Sequence, residues 1–139
     1  MSKIKKFTQQ KTFVTQTKRS HISLSWQYMT SNKKFTLDYF ADDVRSKSQA
    51  MEGIFELIHE ISSHDWTEIL SRRKKSFGGC ESIWAKQIKF SPSGYTLSDD
   101  EKIFVFRFKH KFRLLGIQDK DILYVIGYDF DYSAYNHGS

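Results

Sequence analysis

The chain has very little of what staples or breaks a fold: one cysteine, Cys80, and one proline, Pro92, among 139 residues. A single thiol excludes an internal disulfide framework and any zinc site built from clustered cysteines, and it agrees with a reducing, cytoplasmic setting. No apolar run approaches the roughly 20 residues of a membrane-spanning helix, so no membrane partner is expected. The first residues lack the apolar stretch of a secretory signal, and they are too poor in arginine to make a good mitochondrial presequence. Walker and Rossmann glycine patterns are missing, so no nucleotide cofactor is implied. His59 and His64 stand five apart across a helix end and miss the i, i+4 spacing of a zinc helix, so no metal is implied either. Cys80 follows Gly78-Gly79 and a basic run, but no motif pairs it with a base, and it reads as an inert thiol.

Aromatic residues are plentiful: twelve Phe, seven Tyr and three Trp, within a hydrophobic fraction of 39%. A chain of this size buries about two-thirds of its unfolded surface, which makes a real core and one soluble domain the expectation. The net charge is +6. Lys3, Lys5, Lys6, Lys11, Lys18 and Arg19 supply all of it with no acid among the first 20 residues, leaving 16 basic and 16 acidic side chains in 21–139. Residues 1–20 therefore read as a flexible basic arm, and 21–139 as a single electrically neutral domain.

Within that domain, alternation places Ile22, Leu24, Trp26 and Tyr28 on one face of a strand. A turn at Ser31–Lys34 leads to a second alternating stretch, Phe35, Leu37 and Tyr39, so the pair could form an N-terminal hairpin. Residues 44–62 form an amphipathic helix with Val44, Met51, Phe55 and Ile58 on one stripe, flanked by Ile54, Leu57 and Ile61. Ser62-Ser63-His64-Asp65 supplies a break and an N-cap for a shorter helix containing Trp66, Ile69 and Leu70. Ile83–Phe90 reads as a strand that closes at Ser91-Pro92-Ser93-Gly94. Three further strands, 102–108, 112–117 and 122–128, are separated by connections too short for anything but an antiparallel meander. The expected class is α+β: two helices packed on a curved antiparallel sheet, with an N-terminal strand or hairpin and a basic arm.

Two clusters could carry chemistry. Hairpin pairing brings Arg107, Lys109, Lys111 and Arg113 together with His110 at the tip, and like charges so close repel unless an anion such as phosphate sits among them. The plainer account is a solvated hairpin end. The C-terminal stretch Asp129-Phe130-Asp131-Tyr132-Ser133-Ala134-Tyr135-Asn136-His137 offers Tyr135 and His137 as proton donor and acceptor for phosphodiester cleavage, or else a frayed polar terminus. Arg72-Arg73-Lys74-Lys75 is the densest basic run, serving either as a solvated helix end or as a contact to nucleic-acid phosphates.

The element order, with Phe112-Arg113-Leu114-Leu115-Gly116-Ile117, Ile122-Leu123-Tyr124-Val125-Ile126-Gly127 and the Tyr132–His137 tail, resembles the RelE/ParE/YoeB superfamily of type II toxin–antitoxin toxins. The likeness spans about residues 45–137. It implies a RelE-like fold and a metal-independent RNA endonuclease, an mRNA interferase, in which the 2′-hydroxyl attacks its own 3′-phosphate. It also implies Arg113 on the scissile phosphate, Arg107 and Lys109 as further cations, and Tyr135 with His137 in proton transfer. Implied partners are RNA, usually messenger RNA lodged in the ribosome, and a cognate antitoxin protein. Toxins of this kind are shorter and basic throughout, whereas this chain carries an N-terminal extension, a neutral body, and Asp129 and Asp131 beside the supposed active segment. A non-catalytic protein- or nucleic-acid-binding module, including one that poisons a protein target, is the alternative.

Overall fold

The computed structural model describes residues 20–72, 78–109 and 111–136. The proposed arm, apart from Ser20, lies outside the described residues, as do Arg73, Lys74, Lys75, His110 and His137. The architecture is α+β, with a five-stranded mixed sheet and two helices. Strands β1 (Ser23–Ser25), β2 (Cys80–Trp84), β3 (Lys102–Phe108), β4 (Phe112–Asp119) and β5 (Ile122–Asp129) lie in the order β1-β5-β4-β3-β2. The expected meander is present as β3-β4-β5, while β1 runs parallel to β5 at one edge, pairing Ser23 with Ile122 and Ser25 with Tyr124.

The N-terminal hairpin does not form. Phe35 to Phe40 makes two 3-10 turns, Lys33–Phe35 and Leu37–Phe40, because short polar side chains satisfy the backbone locally. The Asn32 side chain accepts from Lys34 N at 3.1 Å and Thr36 Oγ1 accepts from Asp38 N at 3.1 Å, which offers the chain an alternative to a strand ladder. The strand expected through Phe90 stops at Trp84, where a 3-10 turn at Ala85–Gln87 takes over.

Helix α1 (Val44–Ser62) has the expected span, capped by Asp43, whose Oδ1 accepts from Ser46 N at 3.1 Å. Helix α2 (Trp66–Leu70) opens on the expected Asp65 cap, a capping box in which Asp65 accepts from Glu68 N at 2.9 Å and Glu68 accepts from Asp65 N at 3.0 Å. The buried face of α1 differs from the expected stripe. Ala50, Gly53, Ile54, Leu57 and Ile61 face the sheet, whereas Val44 (73% exposed), Met51 and Phe55 (65% exposed) point outward. Both seams have helical spacing, so periodicity alone does not choose between them. The choice falls to the close approach of β3, because a Cβ on Gly53 would come within 3.0 Å of the Phe108 ring.

Both faces of the sheet are covered. On the helical side Leu57, Ile61, Trp66 and Ile69 pack on Phe106, Phe108, Leu114 and Leu123. On the other side Phe35, Ala85, Phe90, Ala134 and Tyr135, all from turns and from the segment after β5, pack on Ile103, Val105, Leu115, Ile117 and Ile126. An irregularity at Leu115/Gly116 leaves Ile126 without a partner in β4 and shifts the alternation after it, so that Tyr128 faces the helices and Asp129 the second face.

Truncating Leu57, which has no exposed surface, to alanine is expected to cost about 2–5 kcal/mol of unfolding free energy. Phe55→Ala is expected to cost about 0.5 kcal/mol or less. Urea denaturation of the two variants checks the contrast; equal losses would reverse the assignment of the buried seam.

Candidate active site

The pleat of the meander sends Arg107, Arg113 and Asp129 to the second face in one cross-strand row: Arg107 opposes Arg113 across β3 and β4, and Arg113 opposes Asp129 across β4 and β5. Glu81 joins them from β2, where it pairs with Val105 and so shares that face. The chain leaving β5 then folds back over the row. Asp129, which has no exposed surface, accepts backbone N–H bonds from Asp131 (3.3 Å) and Ser133 (3.1 Å) at Oδ1 and from Ala134 (3.3 Å) at Oδ2. Lys89 N donates to Ala134 O at 2.8 Å, and Ile88 bridges Tyr135, which fixes the end of the loop against the turn after β2.

This return places two tyrosines. Tyr132, at φ 64°, lays its ring over the Arg113 guanidinium, 5.2 Å from carbon to centroid, while keeping 45% of its own surface exposed. Tyr135 is buried and donates its hydroxyl to Glu81 Oε2 at 3.2 Å. Burial, and then the Glu81 charge, push the Tyr135 hydroxyl above its ordinary range, against the opposing pull of Arg113. The phenol thus stays protonated at neutral pH, as a donor must. Glu81 and Arg107 are half-buried, and Arg113 is only 4% exposed beneath Tyr132.

Of the residues expected to act together, Arg107, Arg113 and Tyr135 meet. Lys109 does not join them: its stem packs against Gly53 on the helical side and its Nζ lies 3.5 Å from Glu52. Lys111 is exposed in the β3–β4 turn. Arg72 is engaged by Glu60 at 2.5 Å and by the His64 ring at 3.2 Å. His137, Arg73, Lys74 and Lys75 lie outside the described residues. Three of the four clustered cations have acids of the chain itself beside them, Glu52 by Lys109 and Glu81 and Asp129 in the row of the arginines, while Lys111 is left exposed.

Glu81 and the orienting role of Asp129 were missed from sequence. Glu81 sits in an unremarkable Cys-Glu-Ser-Ile-Trp strand, and the only available signal was its alternation with Ile83 on the face opposite Cys80 and Ser82. Among the described residues no group of three or more His, Cys, Asp or Glu side chains is placed to hold a metal ion. No helix is long and apolar enough to cross a membrane, again among the described residues. Compared with known proteins, the chain matches no family model, no curated protein and no solved structure.

What remains is a carboxylate, a protonated phenol and two guanidinium groups converging beside an exposed aromatic ring. That set can accept a proton, return one and hold an oxyanion. Cys80 takes no part: it packs toward the helical core, and burial followed by the Glu81 charge pushes its thiol up to about 12.

Two outcomes follow. Asp129→Asn puts an NH2 group against the Ala134 N–H, and is expected to cost about 1–3 kcal/mol with faster hydrogen exchange at the Ala134 amide. Unchanged urea unfolding and exchange would refute the loop's dependence on that carboxylate. Alkylation of Cys80 by iodoacetamide at neutral pH is expected to run at least about tenfold slower than that of an unperturbed thiol, accelerating only as pH approaches the raised value.

Proposed function

We propose that the chain is a metal-independent RNA endonuclease that acts as a RelE-like toxin, cleaving RNA by attack of a 2′-hydroxyl on the adjacent phosphate. What carries this reading is the hydrogen bond from Tyr135 to Glu81 beside Arg113 and Arg107. Glu81 takes the proton of the 2′-hydroxyl as its oxygen bonds to phosphorus. The guanidinium of Arg107, with Arg113 behind it, balances the charge that builds on the phosphoryl oxygens. The bond from phosphorus to the 5′-oxygen breaks, and Tyr135, or His137 of the same tail, protonates the leaving oxygen. A 2′,3′-cyclic phosphate and a free 5′-hydroxyl result. In this reading the non-specific RNA attraction resides in Arg73, Lys74, Lys75, Lys111 and the N-terminal arm. A cognate antitoxin and ribosome-bound messenger RNA are the partners this reading entails, and the cytoplasm its place of action.

A second reading, a non-catalytic module that binds a protein target, is favoured by the outward seam of Val44, Met51 and Phe55 on α1.

Induced expression in a bacterial host distinguishes the two. Growth arrest is expected for the wild type, with new RNA 5′-hydroxyl ends. Glu81→Gln and Tyr135→Phe, which keep shape and remove only the reacting groups, are expected to lower cleavage by purified protein about 10²–10⁴-fold with unchanged thermal unfolding. Growth arrest without RNA cleavage, equal in all three proteins, would establish the binding module. Normal growth and intact RNA would sink the toxin altogether.

A further inference from the structure

At the other end of β4 from Arg113, the second face carries a cavity of about 230 Å³ lined by Tyr28, Tyr95, Ile117, Gln118, Asp119 and Tyr124. Three tyrosines converge there from three separate parts of the chain. Tyr124 comes from β5, Tyr28 from the turn after β1, and Tyr95 from the loop that follows Pro92. The Tyr28 ring lies 5.2 Å from that of Tyr95 and 5.0 Å from that of Tyr124, centroid to centroid. The supporting loops are tied down: Ser93 N donates to Tyr28 O at 3.1 Å, and Thr30 N donates to Ile126 O at 2.9 Å. The Tyr95 hydroxyl is held by the Glu101 carboxylate. No movement is needed to form this aromatic wall.

Its chemistry selects an occupant. The Tyr28 ring is inclined by 46° to that of Tyr95 and by 41° to that of Tyr124, so it makes with neither the parallel slot that a flat nucleobase stacks into. The three rings together give the cavity a largely aromatic wall. Among the described residues that line the cavity none is a cation, and Asp119 adds a carboxylate to its wall, so phosphate and carboxylate groups are disfavoured and positive charge is attracted. The volume falls below the roughly 300–1,000 Å³ of pockets for drug-sized molecules, which suits a head group and not a whole nucleotide. Face contacts to several aromatic rings with a nearby carboxylate are how quaternary ammonium groups are recognised.

We propose that Tyr28, Tyr95 and Tyr124, with Asp119, form a binding site for a quaternary or otherwise alkylated ammonium group. The group is either that of a small amine or that of a methylated lysine side chain on a peptide. Arg113 and Asp119 are six residues apart on one strand, about 20 Å, so the site is separate from the Glu81–Tyr135 cluster and neither depends on the other.

The test is titration of the full chain, followed by amide and tyrosine-ring NMR shifts. The probes are choline, a short peptide containing trimethyl-lysine, and 3,3-dimethylbutanol, the neutral isostere of choline. Choline or the peptide is expected to bind and to shift Tyr28, Tyr95 and Tyr124, with 3,3-dimethylbutanol at least about tenfold weaker because it lacks the charge. Asp119→Asn and Tyr95→Ala, both at exposed positions, are expected to weaken binding about fivefold or more with the remaining spectrum intact. Binding of choline alone, of the peptide alone, or of both identifies the source of the ammonium group and supports the site. The proposal is overturned if neither cation binds by roughly 10 mM, if the neutral isostere matches choline, or if guanosine monophosphate displaces the cation and binds there more tightly.

Discussion

The carboxylate of Asp129 is the constraint on which the second half of this structure rests. It has no exposed surface, and a polar group removed from water is costly unless its hydrogen-bonding capacity is met. Three backbone N–H groups of the next five residues meet it, with Arg113 directly opposite on β4. The chain must therefore curl tightly after β5, which forces Tyr132 to φ 64° and reverses the direction of the tail. Ala134 and Tyr135 then become part of the second core, and the Tyr135 hydroxyl arrives at Glu81. One carboxylate thus determines both how the sheet is covered and where the candidate acid sits.

Among the described residues the sheet has two faces to bury and one pair of helices. The second face is closed by turns, and turns bury little unless the backbone comes very near. Gly127 allows that approach: a Cβ there would lie 2.6 Å from the Phe90 ring, which instead stacks on Phe35 with centroids 4.6 Å apart. Ile126 joins this core from the same side as Tyr124, and the register shift at Leu115/Gly116 brings Asp129 onto the same side as Arg113. Packing and site geometry consequently share a cause, since without the extra residue in β5 the terminal strand would present its acid to the helices.

Charge follows the same logic. Four cations close in sequence at a hairpin end repel one another, and the fold relieves this by sending three of them to two faces and leaving Lys111 exposed in the turn. Lys109 goes to Glu52 on α1, and the arginines go to a row that contains Glu81 and Asp129. Net charge by region gives a neutral body and a basic start. It did not say which acid stands beside which base, because that depends on strand pairing across dozens of residues.

The amino-acid sequence by itself determined the α+β class, the span of α1, the Asp65 cap of α2, and the three-strand meander with Arg107 and Arg113 as neighbours. Each of these is set by local periodicity, capping chemistry or a connection too short for any alternative. Tertiary structure alone decided the parallel pairing of β1 with β5, the 3-10 turns in place of an N-terminal hairpin, the seam of α1 that is buried, the division of the hairpin cations, the meeting of Glu81 with Tyr135, and the convergence of three tyrosines around one cavity. These all join residues far apart in the chain or choose between locally equivalent options. Only the mutual fit of two packed faces on one twisted sheet distinguishes such options.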